Sequence, residues 1–194
     1  MSKFKINHQS KNSSARTGIL KTAHGSIETP FFMPIATYGA VKTQSSEEIK
    51  SLPSQILLSN TYHLYIRPGT RILEQAGGLH KFMNWNGIIL TDSGGYQVYS
   101  LKGMRKINSD GVTFQSHLDG SKHYFSPEKV IDIQRIIGSD IMMMLDVCPP
   151  GDANQKKWID ALQHTTNWAK RAKKYFDQTE SLYGYEQIIS PIVQ

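Results

Sequence analysis

The sequence predicts an α/β fold built on a parallel sheet. Short, continuous apolar runs alternate with helical stretches, the pattern left by strands that are buried on both faces. Four of those runs end alike, on a polar residue: ILLSN at Asn60, IILTD at Asp92, MMMLD at Asp146 and IVQ at Gln194. One polar residue at a strand end is ordinary, because strands leave the core there. Four with the same layout read as a convergent site, since parallel α/β proteins, and above all (β/α)8 barrels, build their sites at C-terminal strand ends. A full barrel takes about 250 residues. This chain of 194 offers roughly half the strand–helix units and stops on a strand, so a truncated partial barrel is expected.

The elements follow in order. Residues 1–14 form a polar N-terminal extension, and residues 15–194 form the barrel-type domain. ARTGILKT and IETPFFMPIA read as a β-hairpin turning at AHGS. SSEEIKSL places serines before acids, a helix start. TRILEQAGGLHKFM has helical spacing stopped by Gly77-Gly78. GVTFQSHL and KHYF flank the hairpin turn Asp119-Gly120-Ser121. SPEKVIDIQRIIG is a punctuated helix, with Ser126 as cap, Pro127 in the first turn and Gly138 as stop. NQKKWIDALQHTTNWAKRAKKYF is amphipathic, with Trp158, Leu162, Thr165, Ala169, Ala172 and Phe176 on one stripe. QIISPIVQ closes the chain as a strand.

Composition excludes several classes. No apolar run approaches the roughly 20 residues of a membrane helix, so no membrane partner is expected. The basic N-terminus lacks an apolar signal core, and a cytoplasmic protein is the simplest reading. One cysteine, Cys148, cannot make an internal disulfide or a four-cysteine zinc site. Net charge +6 suits a polyanion, but mildly basic small proteins are common. Met142-Met143-Met144 reads as adaptable core filling, and His63 as a structural histidine.

TDSGGYQVYS admits three chemistries. A serine nucleophile in D-S-G-G belongs to disulfide-rich secreted β-barrels, and no G-x-S-x-G elbow is present. A phosphate loop lacks its glycine spacing. A pocket for a planar, hydrogen-bonding ligand accounts for more of the residues. Asp92 accepts, Ser93, Gly94 and Gly95 offer backbone N–H groups at close range, Tyr96 offers a ring face, and Gln97 both donates and accepts. Asp146, ending the next buried strand, is a second acceptor, and a guanine-like edge of adjacent N–H donors matches such carboxylates. A glycosidase-like use of Asp92 and Asp146 rests on the pair alone.

HGSIETPFFMPIAT, LLSNTYHLYIRPG, GGLHKFMNW, LTDSGGYQVYSL, GVTFQSHLDGSKHYFSPE, QRIIGSDIMMMLD and PIVQ together carry a resemblance. From about Arg16 to Gln194 the chain resembles the N-terminal part of the tRNA-guanine transglycosylases, or queuine tRNA-ribosyltransferases. The resemblance implies a (β/α)8 barrel of the TIM type that exchanges guanine at the tRNA wobble position for a deazaguanine, in queuosine biosynthesis. It implies that Asp92 is the general acid/base and a base ligand, that Ser93, Gly94, Gly95 and Tyr96 complete the binding segment, and that Asp146 and Gln194 recognise the base. The nucleophilic aspartate and the Cys/His zinc site of the family lie further along its chain, so no metal or cofactor is expected within these residues, and the chain alone is expected to be inactive. Homodimerisation, or pairing of a non-catalytic base- or tRNA-binding subunit with a full-length relative, is the alternative. Val147 stands where common bacterial members carry an acid.

Overall fold

The computed structural model describes residues 3–101 and 103–193; Gln194, expected in the site, lies outside them. At its centre is a four-stranded parallel sheet of β4 (Ile56–Ser59), β5 (Ile88–Thr91), β9 (Ile141–Met143) and β10 (Ile188–Ser190), neighbours in chain order. An isolated parallel bridge from Ile35 to Leu58 extends it on the β4 side. β4 and β5 are nearly all buried, as their unbroken apolar runs require, whereas β10 at the other edge is only half-buried.

The expected N-terminal hairpin is one part of an antiparallel three-stranded sheet. β2 (Arg16–Thr22) and β3 (Gly25–Thr29) form it, and β1 (Phe4–Gln9), inside the polar extension, pairs with β2. The second strand ends at Thr29, short of the expected run, because Pro30 brings no N–H to a ladder. β7 (Val112–Gln115) and β8 (Lys122–Phe125) form the second hairpin, joined by an unexpected edge strand, β6 (Arg105–Ile107).

Helix punctuation follows the residues. α1 (Ser46–Lys50) starts with a capping box between Ser45 and Glu48. α3 (Thr70–Ala76) stops at Gly77, in the left-handed conformation, and α4 (Leu79–Met83) follows. On α6 (Pro127–Ile137), Ser126 accepts from the Lys129 N–H, and Gly138 ends the helix at φ 74°. Two short helices escaped the sequence reading: α2 (Thr61–Ile66) directly after β4, and α5 (Gly95–Ser100) just after β5.

The stripe expected on α7 (Gln155–Gln178) holds at Thr165 and Ala172 and is corrected elsewhere. The buried line is Ala161, Thr165, Trp168 and Ala172, while Leu162 is 64% exposed. Three small residues let the helix approach closely, and the Trp168 indole N–H donates to Ser109 O at 2.8 Å. Turning the helix this way leaves Ile159 and Leu162 on an open groove of about 970 Å³ with Trp158 and Pro191, Ile192 and Val193. Met142 and Met144 are buried against α6 and α7, as core filling. No described helix is long and apolar enough to cross a membrane.

A buried polar knot fixes the sheet beneath the site. Thr91 Oγ1 lies 2.7 Å from Gln134 Oε1 and 2.6 Å from Ser139 Oγ, while Gln134 Nε2 donates to Met143 O at 2.9 Å. This ties α6 to the ends of β5 and β9, one residue before Asp92 and three before Asp146.

Candidate functional site

Register brings the site together. Ser59 pairs with Thr91 across β4 and β5, so the next residues, Asn60 and Asp92, leave the sheet side by side. The Asp92 carboxylate then takes four protein donors. Oδ1 accepts from the backbone N–H groups of Thr61 (2.9 Å) and Gly94 (3.1 Å), and Oδ2 accepts from Asn60 Nδ2 (2.6 Å) and Gln97 Nε2 (3.0 Å). The Thr61 hydroxyl donates to Asp92 O at 2.6 Å. Asp92 thus serves as the cap for α2, whose own first-turn donors Asn60 leaves unserved. A carboxylate has about four lone-pair sites, so a ligand that binds Asp92 must exchange with one of these donors. Gln97 Oε1 is buried without a partner of its own.

A second knot holds Asp146. Ser93 Oγ donates to Asp146 Oδ1 at 2.6 Å and accepts from the Gly95 N–H at 3.0 Å. Ser93 and Asp146 are both buried. Gly95 is there for space: a β-carbon on it would lie 2.5 Å from Asp146 Oδ1 and 2.7 Å from Asp146 O. Gly94 is there for conformation, at φ +76°. The next residue after Asp146 is fixed in turn, the Val147 N–H donating to Thr165 Oγ1 on α7 at 3.0 Å.

Most sequence-singled residues therefore meet. Asp92 with Gly94, and Ser93 with Gly95 and Asp146, form two hydrogen-bonded groups interleaved along one segment, and Tyr96 follows them, 67% exposed. Asn60 and Gln97, read from sequence as strand-end and ligand-facing groups, are turned on Asp92 instead. Thr61 was missed, its only signal being that it follows a strand-end asparagine. Burial and the nearby Asp146 carboxylate push the Cys148 thiol up, leaving it protonated at neutral pH. Ser93, bonded to a carboxylate and to an N–H, has no histidine base among these contacts.

Among the described residues, His24, His80 and Asp140 form the one group with metal-ligand composition. Its geometry is that of a clasp. The two imidazoles stack 3.8 Å apart at 21°, a pose that cannot aim both lone pairs at one ion. Asp140, fully buried, accepts from His24 Nδ1 (2.9 Å), His24 N (3.0 Å) and Ile89 N (3.0 Å), pinning the β2–β3 turn under the sheet.

A queuine tRNA-ribosyltransferase family model matches residues 10–194. The chain belongs to that family. Curated queuine tRNA-ribosyltransferases similar to this family member include those of Thermoanaerobacter pseudethanolicus, 52% identical over 187 residues, and Desulforamulus reducens, 50% over 186. The protein of Halothermothrix orenii is 49% identical over 185 residues. Each alignment covers 95% of this ribosyltransferase-family chain and 50% of the relative. The chain thus spans about half the length of the curated relatives it matches.

Proposed function

We propose that this chain carries the base-recognition part of a tRNA-guanine transglycosylase, which exchanges guanine at the wobble position for a deazaguanine. The observation that carries the reading is the pair of carboxylates, Asp92 and Asp146, fixed by one glycine-serine segment at adjacent parallel strand ends. Asp146 accepts N–H donors of the base edge. Asp92 gives up one of its amide partners to meet the base and then acts as general acid/base, returning a proton to the departing ring nitrogen. Tyr96 swings its exposed ring over the base, and Gln194 completes the recognition edge. A base reached this way must leave its stack, the usual arrangement for enzymes acting on nucleobases.

The covalent nucleophile and the zinc site belong to the part of the family that these residues do not cover. Four parallel strands in the order β4-β5-β9-β10 support reading these residues as part of a barrel wall. The 194-residue chain by itself is expected to show no exchange of labelled guanine into cognate tRNA. Exchange by the purified chain overturns that assignment of the nucleophile.

One observation favours a second reading, a subunit that docks on a relative. The apolar groove of Ile159, Leu162, Ile192 and Val193 faces solvent beside the half-buried edge strand. Co-elution with a full-length relative, lost in Leu162→Asp, supports docking; elution of the two as separate species refutes it.

A further inference from the structure

A row of aromatic and imidazole rings runs outward from Asp92 and ends on an exposed tyrosine. His63 stands two residues beyond Thr61, whose N–H caps onto Asp92, and it senses the Asp92 charge. Its ring packs edge-on against Tyr62 at 5.2 Å and against Tyr38 at 5.0 Å. Tyr62 is locked from the other side, its hydroxyl 2.7 Å from His117 Nδ1. His63 Nδ1 lies 3.1 Å from the Tyr38 hydroxyl. Burial and the nearby His117 lower the proton affinity of His63, which favours a neutral ring whose Nδ1 shares one hydrogen bond with the Tyr38 hydroxyl.

Tyr38 is therefore an unusual surface residue. Its hydroxyl is anchored and one edge is packed, yet the residue stays 44% exposed. Gly39, at φ +76°, turns the chain directly after it, and a β-carbon there would press on Leu79 at 3.1 Å. An exposed ring that is already held has little rotamer freedom left to lose on binding. Rings of this kind serve single-stranded nucleic acid by stacking, because every base presents a π-face. The net charge of +6 suits the same polyanionic partner.

We propose that Tyr38 is a stacking platform for an unpaired nucleobase next to the one held at Asp92, with His63 as its positioning residue. The inference rests on the transglycosylase reading and adds a nucleic-acid subsite to it. It separates two contacts: Asp92 and Asp146 take the reacting base, and Tyr38 takes a neighbour that is present only in RNA.

The test uses the full chain and two probes, guanine by calorimetry and a labelled anticodon stem-loop RNA by fluorescence anisotropy. Tyr38→Ala weakens RNA binding by about 5- to 150-fold, the range expected for one lost base–aromatic stack, and leaves guanine affinity unchanged. Tyr38→Trp retains RNA affinity. His63→Ala frees the ring and weakens RNA binding by a smaller factor than Tyr38→Ala. The proposal is overturned if wild type binds guanine but not the RNA, or if Tyr38→Ala binds RNA as wild type does. It is also overturned if Tyr38→Ala abolishes self-association while RNA affinity stays intact, which assigns the ring to a second copy. A wild-type chain that binds neither probe refutes the transglycosylase reading itself.

Discussion

Replacing Gly95 by alanine adds one methyl group and strikes the site at its tightest point. The new carbon would sit 2.5 Å from Asp146 Oδ1, 2.7 Å from Asp146 O and 3.1 Å from Ser93 Oγ. A side-chain oxygen can swing aside, but the main-chain oxygen cannot, because Val147 is pinned to Thr165 at 3.0 Å. Overpacking of this kind costs about 1–3 kcal/mol. Displacing the Asp146 carboxylate from Ser93 adds about 1.5–3 kcal/mol for a hydrogen bond to a charged group. Alanine restricts the unfolded chain, which returns about 0.4–1 kcal/mol. The net expectation is a loss of about 2–5 kcal/mol, a large share of the roughly 5–15 kcal/mol of an ordinary domain. Urea denaturation reads it as a fall in midpoint of about 1–2 M at ordinary slopes. Gly151→Ala is the control, since a β-carbon there meets nothing within 4 Å, and its midpoint does not fall. A Gly95→Ala protein with wild-type midpoint and wild-type guanine affinity refutes the close packing of Gly95 on Asp146.

Other outcomes follow from the same geometry. Ser93→Ala removes the donor to buried Asp146 and the acceptor for Gly95 N–H, costing about 2–4 kcal/mol as two lost hydrogen bonds, one to a charge; wild-type stability in this variant contradicts the assignment. Burial alone would raise Asp140, but hydrogen bonds from His80, the Ile89 N–H and His24 outweigh it and hold the carboxyl at about 2. A depressed folded pKa gives stability that is complete above the unfolded value of 3.8 and is lost as pH falls toward about 2. That contribution is about 2 kcal/mol. Asp119, held at about 2 by Ser121 and Ser116, titrates over the same window on the surface. The comparison is therefore wild type against Asp140→Asn: their stability gap narrows by about 2 kcal/mol between pH 5 and pH 2, and a gap independent of pH contradicts the clasp.

What the sequence disclosed depended on how local each signal was. α6 carried its own cap, proline and stop glycine, so its limits were legible from Ser126 to Gly138. The six-residue helices α2 and α5 were hidden, being too short for periodicity and led by Asn60 and Gly94, which make no side-chain cap. β1 and β6 were hidden because they are sheet edges with largely polar residues. On α7 the core took Thr165 and Ala172 as expected, but small Ala161 displaced Leu162 from it through close packing. In the site, Asp92 through Tyr96 and Asp146 were visible as a motif and a strand end. The hold of Asn60 and Thr61 on Asp92 was not, because it arises from the Ser59–Thr91 register between segments about thirty residues apart. Gln194 remains a sequence-based assignment, outside the described residues.

The most direct test is calorimetric titration of guanine into the purified chain and its Asp146→Asn variant, each first shown to be folded. Saturable binding of one guanine per chain is expected, weakened about 10- to 150-fold in Asp146→Asn as one charged acceptor is lost. A folded wild-type chain that takes up no guanine, or a variant that binds it equally well, contradicts the base-recognition site.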